Sequence, residues 1–414
     1  MKTVICLFED EEYRNLLPLN YIRPSYDLRC GILTLREKII ARLPNRKFIF
    51  HCRKYLSDVL SERYLKTTVN NFDFANILFI NGRILIDNYL INRFKRLKDN
   101  TALIDSNGVF AAVNLTSSEI KKLSAVSDEF LRFHKLPNLD KIEIQAKLIN
   151  YPWDLINFNG EELIKDFELF SKKISKSDLL KFRSVEVKNI NSIYIDKTAM
   201  IDPFVFLDAS DGPIFIGNDA RIMSHSSIQG PAFIGDNTII KMHTSIYHNT
   251  SIGEVCKIGG EIENSIIHSH SNKQHEGFLG HSYISSWVNI GAGTNNSDLK
   301  NNYGNISVLL NGKAVDTKSQ FVGLIMGDHS KTAINTMFNT GSVVGVSSNV
   351  FGSGFPPKYI PSFTWGGSDS LETYDFKKAL DVAKLVINRR KMNLSDAETE
   401  LFGKVFELTI PERT

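Results

Sequence analysis

Cysteine is scarce in this chain. Cys6, Cys30, Cys52 and Cys256 are the only four in 414 residues, scattered and never in a CxxC pair. Neither a disulfide framework nor a cysteine zinc site is indicated. No apolar run is long enough to span a bilayer. Charge of one sign is also lacking: the net value of +3 gives no strong field, so neither nucleic acid nor a membrane surface is implied as a partner. The amino-terminal MKTVICLFEDEEYRN turns acidic after one short apolar run, as a buried first strand does and a signal peptide does not. A cytoplasmic protein is expected. The apolar share of 42% and charged share of 23% are those of globular domains, and the length suggests two or three of them.

What is present is a period of six. Ile216, Ile222, Ile228, Ile234, Ile240, Ile246, Ile252 and Ile258 stand in phase, an interval that neither a helix nor a lone strand demands. Four residues after the first seven of them come Ala220, Ser226, Ala232, Thr238, Thr244, Thr250 and Cys256, all small. Gly217, Gly235 and Gly253 add a slower beat of 18 residues. Three six-residue sides per 18-residue coil make a triangular prism: an aliphatic residue fills each side and a small one fits each corner. One coil cannot bury its own inner face, so stacking supplies the core of such a β-helix.

The period organises the rest of the chain. Residues 1–157 alternate short apolar runs (TVICLF, ANILFINGRILI) with a helical pattern after Gly31 (ILTLREKIIARL), which predicts an α/β domain with a partly parallel sheet. A charged helix, EELIKDFELFSKKI, and a polar connector fill 158–190. The prism covers 191–365, opening at Ile195, Ile201 and Leu207. Its register is expected to break after Ile258, to resume at Phe278, Ile284 and Ile290, and to recover at Phe338, Val344 and Val350 after an Asn-rich excursion near 295–320. Residues 366–414 read as two helices, one with a stripe of Phe376, Ala379, Leu380, Ala383, Val386 and Ile387, the other opened by a Ser395/Glu398 capping box. They are expected to cover the open end of the prism, where strand edges would otherwise be unpaired.

Six histidines fall between 243 and 281: His243, His248, His268, His270, His275 and His281. Two chemistries compete for them, a general base for acyl transfer and a metal site built on His243-x4-His248 with His225 one coil earlier. For acyl transfer the informative segment is NKQHEGFLGHSYISSWVNIGAGT followed by NNYGN. It resembles the carboxy-terminal half of bifunctional GlmU-type enzymes, hexapeptide-repeat left-handed β-helix acetyltransferases joined to a sugar nucleotidyltransferase. His275 stands three residues before Phe278-Leu279-Gly280 and 14 before Asn289, the separation found in that family. The resemblance implies that His275 is the general base, that Asn289, Asn302 and Tyr303 contact a sugar phosphate, and that backbone at Ala292 and Gly293 lies along acetyl-CoA. It also implies a homotrimer with the site between neighbouring prisms. Several positions depart from the family pattern. Four extra residues precede the Asn302-Tyr303 pair, Phe278 replaces a tyrosine, and Glu263 stands where the family has a substrate-binding lysine, which leaves Lys273 or Lys313 to hold phosphate. For the metal reading, γ-class carbonic anhydrases carry a third histidine two coils earlier, where this chain has Leu207.

In the amino-terminal region LLPLNYIRPSYDLRCGILTLREK gathers Arg23, Arg29, Arg36 and Lys38, with Gly31 at an expected helix start. Cations beside free helix N–H groups suit phosphate. With FED near the start and YPWDLIN at 151–157, the stretch resembles the nucleotidyltransferase domain of a variant bacterial branch of GlmU-like proteins. That resemblance implies Arg23, Arg29 and Lys38 as triphosphate contacts. The domain lacks the family's Gly-rich loop, and FINGR puts Asn81 where a metal-binding aspartate is usual. Asp154 and Asn157 are the remaining candidates for Mg²⁺. The resemblance as a whole implies acetyl transfer to glucosamine 1-phosphate and uridylyl transfer from UTP. A non-catalytic sugar-nucleotide sensor or scaffold, and an enzyme for dTTP or another hexose phosphate, remain as alternatives.

Overall fold

The computed structural model describes residues 4–171 and 182–413. Part of the expected connector, residues 172–181, lies outside them.

The amino-terminal sheet has seven strands: β1 (Val4–Phe8), β2 (Phe48–Phe50), β3 (Thr68–Val69), β4 (Asn76–Asn81), β5 (Thr101–Ile104), β6 (Phe110–Thr116) and β7 (Asp140–Glu143). Their order is β3-β2-β1-β4-β6-β5-β7. The first four strands run parallel and β6 is antiparallel to its neighbours. β1 is apolar at every position because both its faces are covered. Ile5 and Leu7 join one core, while Val4, Cys6 and Phe8 join the other. The first core is covered by α1 (Leu35–Arg42), α2 (Ser57–Arg63) and α3 (Asn88–Lys95), the second by α4 (Ser117–Val126). α1 begins at Leu35, under a Thr34/Glu37 capping box. Gly31 therefore lies in a turn (φ +88°) and not at a helix start.

The prism is a left-handed parallel β-helix of three sheets. On one face Ile195, Ile216, Ile234, Ile252, Ile267, Ile284, Met326, Val344 and Ile360 pair in an unbroken row. All are buried, as are the seven small corner residues. Several of those corners are polar for a reason: Thr238 Oγ1 donates to the Gly253 carbonyl and Ser226 Oγ to Lys241, each at 2.7 Å. The turn carbonyls are thereby satisfied inside the wall. Gly235 is needed for stacking, since a Cβ there would lie 2.6 Å from the Gly253 backbone.

The expected break after Ile258 is a contraction instead. Ile262 pairs with Ile246, and Lys273 pairs with Ile258 after only 15 residues. The inward residue of the next rung is Leu279, paired with Ile262, and not Phe278. A six-residue phase cannot register a shortened coil.

α5 (Pro152–Ser171) is one 20-residue helix that contains the expected boundary at 157. It packs on the flank of the prism. Outward residues of the same prism face, Ile266, Tyr283, Ile325 and Val343, form one core with Leu16, Leu28, Trp153 and Ile156. Those rungs are apolar on both sides because the amino-terminal domain covers them. The excursion is a hairpin, Ser307–Leu310 with Lys313–Asp316, whose Val308 and Leu310 enter that core. The tail helices α6 (Phe376–Asn388) and α7 (Asp396–Leu408) pack against the amino-terminal domain, while the strand Leu371–Thr373 pairs with the edge of the terminal strand Thr364–Gly367. Ala379, Ala383, Leu401 and Phe402 join the amino-terminal core, and Arg63 pairs with Glu398 at 3.0 Å. Among the described residues no helix is long and apolar enough to cross a membrane.

Candidate functional site

The crevice between β1 and β4 is the topological switch point of the sheet, where ligands of open α/β folds bind. Here protein side chains fill it. Arg53 pairs with Glu9 at 2.9 Å, both fully buried, and Tyr26 packs on Gly82, where a Cβ would lie 2.6 Å from its ring. Arg83 holds both oxygens of Asp10, at 2.8 and 2.6 Å. Asn81 donates to the same carboxylate at 2.8 Å. Asp154 accepts the N–H groups of Asn150 and Tyr151 at 2.8 and 3.0 Å, while Asn157 is exposed on α5. Asn81, Asp154 and Asn157 thus present no shared oxygen set, and they do not fit Mg²⁺. Among the described residues no group of three His, Cys, Asp or Glu could hold a metal ion.

Each of the expected triphosphate contacts is engaged by a carboxylate of the protein. Arg23 is paired with Asp328 of the prism, and Arg29 donates to both oxygens of Glu254 at 2.7 and 2.9 Å. Lys38 meets Asp166 at 2.5 Å and Glu162 at 2.9 Å. Burial pushes the Lys38 pKa down, and the two carboxylates push it up by more. The anion site expected near Gly31 does exist, but its anion is internal: Ile32 N and Leu33 N donate to Asp166 Oδ2 at 3.0 and 3.1 Å. Cations were visible in the sequence; a carboxylate 128 residues away (166 against 38) was not. A cavity of about 390 Å³ between this segment, the prism and the tail is lined by Arg23, Arg29, Arg36 and Arg63. Each of the four is paired with an acid, so the cavity is balanced in charge.

On the prism the histidines separate. His225 and His243 stack in parallel, centroids 5.1 Å apart, with Phe204 beyond them. Stacked rings do not converge on a metal. His270 stacks on Trp287, whose other side faces His329. His281 bonds Asp298 at 2.8 Å, and His248 lies 3.4 Å from the Asn264 amide. His268 accepts from Ser269 N at 2.9 Å, and burial followed by the charges of Arg23 and Arg29 holds its pKa well below the usual range. His275 is different. Its ring is exposed and, among the described residues, enters no hydrogen bond, ion pair or ring stack.

The loop bearing it is fixed from inside. Lys273 occupies an inward position, is 2% exposed, and donates to the carbonyls of Gly259 and His275 at 2.9 and 3.0 Å. Burial brings its pKa down to about 8. Lys273 therefore cannot face a substrate phosphate; it anchors the loop. Gly277 lies in the same loop at φ +129°, with a built Cβ 2.1 Å from the Thr294 carbonyl oxygen.

Outside this wall the rungs carry a polar row. Lys257 pairs with Asn272, Asn272 with Asn289, and Asn289 with Lys331. With Arg389 and Arg390 at the end of α6, this row lines a groove of about 330 Å³. Asn289 is thus placed in the groove, and Gln274, the neighbour of His275, lines it too. Ala292 and Gly293 lie against the next coil, where the Ala292 carbonyl accepts from Asn335 N at 2.7 Å. Asn302 and Tyr303 are exposed at the root of the hairpin. Lys313 is exposed at its tip, two residues after Asn311, which donates to the Arg14 carbonyl at 2.9 Å. Lys257, Lys331, Arg389 and Arg390 were not singled out from the sequence. The available signal was a lysine one residue before an inward position in two separate coils.

Residues 5–175 match the family model described as sugar nucleotidyl transferase. A bifunctional sugar-1-phosphate nucleotidylyltransferase/acetyltransferase of Sulfurisphaera tokodaii is 27% identical over 285 residues, which cover 65% of this chain and 63% of the relative. The chain thus spans less than two thirds of that relative's length. Both matches are to transferases, in line with the resemblance read from the sequence. Among solved structures, a UDP-N-acetylglucosamine acyltransferase of Francisella novicida is similar over 55% of this chain and 89% of its own, at 14% identity and a TM-score of 0.32. A hexapeptide transferase family protein of Anaplasma phagocytophilum is similar over 55% and 98%, at 13% identity and a TM-score of 0.26.

Proposed function

We propose that the chain builds a nucleotide sugar in two transfers. The prism moves acetyl from acetyl-CoA to glucosamine 1-phosphate, and the amino-terminal domain transfers the uridylyl group of UTP to N-acetylglucosamine 1-phosphate, releasing pyrophosphate. One observation carries the first transfer: of six neighbouring histidines, His275 alone keeps an imidazole without a partner among the described residues, on a loop that the fold anchors from within. A neutral imidazole is suited to taking the amine proton as nitrogen attacks the thioester carbonyl and the thiolate of coenzyme A departs. Asn289, Asn302 and Tyr303 hold the sugar phosphate, with Lys313 the remaining cation of the expected pair. The chain backbone at Ala292 and Gly293 follows the acyl donor. The assembly is a homotrimer. The bifunctional relative supports the pairing of reactions, and the family-model match supports the second transfer.

Mass spectrometry of products from mixed sugar 1-phosphates, UTP or dTTP, and acetyl-CoA tests both halves. His275→Ala abolishes acetyl transfer and spares nucleotidyl transfer; equal loss of both would make His275 a folding residue. A second reading has its own observation. The switch-point crevice is closed by Glu9–Arg53 and Asp10–Arg83 pairs, which favours an amino-terminal domain that binds or scaffolds without turnover. Saturable UTP binding with no pyrophosphate release would establish it.

A further inference from the structure

The groove between the prism and the end of α6 has an unbalanced charge. Lys257, Lys331, Arg389 and Arg390 line it, and no lining residue is acidic. The balanced cavity on the other side of the His270–Trp287 stack shows the contrast, since each of its arginines has a carboxylate. In the groove Arg390 donates to a neutral acceptor, Asn272 Oδ1, at 3.0 Å, and Lys331 donates to the His329 carbonyl at 2.8 Å. Neither bond neutralises its cation.

The spacing is regular. Lys257, Asn272, Asn289 and Lys331 occupy successive rungs of one sheet, so the two lysines stand three rungs apart, about 14 Å at the usual strand separation. The asparagine amides lie between them, and the arginine pair approaches the row from the tail. We infer that this groove is a binding site for a ligand carrying two or more phosphate groups, held by Lys257 and Lys331 along the row and by Arg389 and Arg390 from α6. Two effects agree with it. Burial and then the charges of Arg390, Lys241 and Arg389 lower the Lys257 pKa, and burial brings Lys331 down to about 8. The negative charge of an incoming polyanion favours the charged form of both lysines and so opposes both shifts. Several direct phosphate contacts make the affinity dependent on salt and on guanidinium geometry.

The groove does not require the acetyl-transfer reading, although that reading offers its phosphates a source in the acyl donor. Calorimetry with coenzyme A, 3′-dephospho-coenzyme A, glucosamine 1-phosphate, UTP and inorganic pyrophosphate separates the sources. The site predicts that at least one polyphosphate probe binds the full chain, weakens on going from low to high salt, and loses tenfold or more in affinity with Arg389→Ala/Arg390→Ala. A second variant, Lys257→Gln, reports the same loss from the opposite wall. A coenzyme A affinity that no longer depends on its 3′-phosphate in these variants assigns the groove to the acyl donor; a loss confined to UTP or pyrophosphate assigns it to a nucleotide. Unchanged binding of every probe in both folded variants, or no binding by the parent chain, overturns the site. Failure of His275→Ala to abolish acetyl transfer would overturn the proposed function and leave this result standing.

Discussion

Lys273 sits where the repeat calls for an isoleucine, and replacing it by methionine isolates the effect of one buried charge. The side chain is 2% exposed and titrates near 8 in the fold, against 10.5 when unperturbed. The unfolded chain therefore binds this proton more tightly, and stability rises with pH across that window. At pH 7 the ammonium is charged in both states, and its burial costs about 3 kcal/mol. At pH 9.5 the folded lysine is mostly neutral while the unfolded one is mostly charged, and the cost falls to about 1 kcal/mol. Urea unfolding of the parent and Lys273→Met at both pH values should show the parent gaining about 2 kcal/mol relative to the variant. Titrations common to both chains cancel in the comparison. The difference at pH 7 alone is less telling, because the variant leaves the Gly259 and His275 carbonyls without their donor, at about 1–3 kcal/mol each. A gap between the two chains that stays flat with pH, or moves the other way, would refute the buried-ammonium account.

Other consequences follow from the same contacts. Lys273→Met folds yet lowers the kcat for acetyl transfer, since the His275 carbonyl loses its anchor; an unchanged kcat would make the lysine purely structural. Arg23→Leu strips Asp328, buried in the domain interface, of its cation and destabilises the chain by about 3–5 kcal/mol, whereas the double variant with Asp328→Leu recovers most of that in chemical unfolding. Gly277→Ala forces a Cβ against the Thr294 carbonyl at an unfavourable φ, so stability drops by more than about 1 kcal/mol and acetyl transfer is lost.

The two architectures were legible in the residues for different reasons. A six-residue interval with matched small corners has few geometric solutions, so Ile216 to Ile258 specified a prism directly. β1 announced a parallel strand because a strand covered on both faces is apolar throughout. The contracted coil was not legible, since Lys273 breaks the aliphatic phase while keeping its inward place. The two-sided apolar rungs at Ile266, Tyr283, Ile325 and Val343 carried a signal of the domain interface that periodicity alone does not interpret.

Charge is where sequence and structure part. Arg23, Arg29 and Lys38 look like phosphate ligands because only the cations are neighbours in sequence. Their partners Asp328, Glu254 and Asp166 lie 305, 225 and 128 residues away. The cations without an acidic partner among the described residues, at Lys257, Lys331, Arg389 and Arg390, come from two coils and a tail helix with no local pattern to join them. Within the regular coils the chain alone determined which residue each rung turns inward, because periodicity is local. Only the tertiary structure decided which charges are neutralised and which stay available, because a Coulomb interaction depends on distance in space and not on separation along the chain.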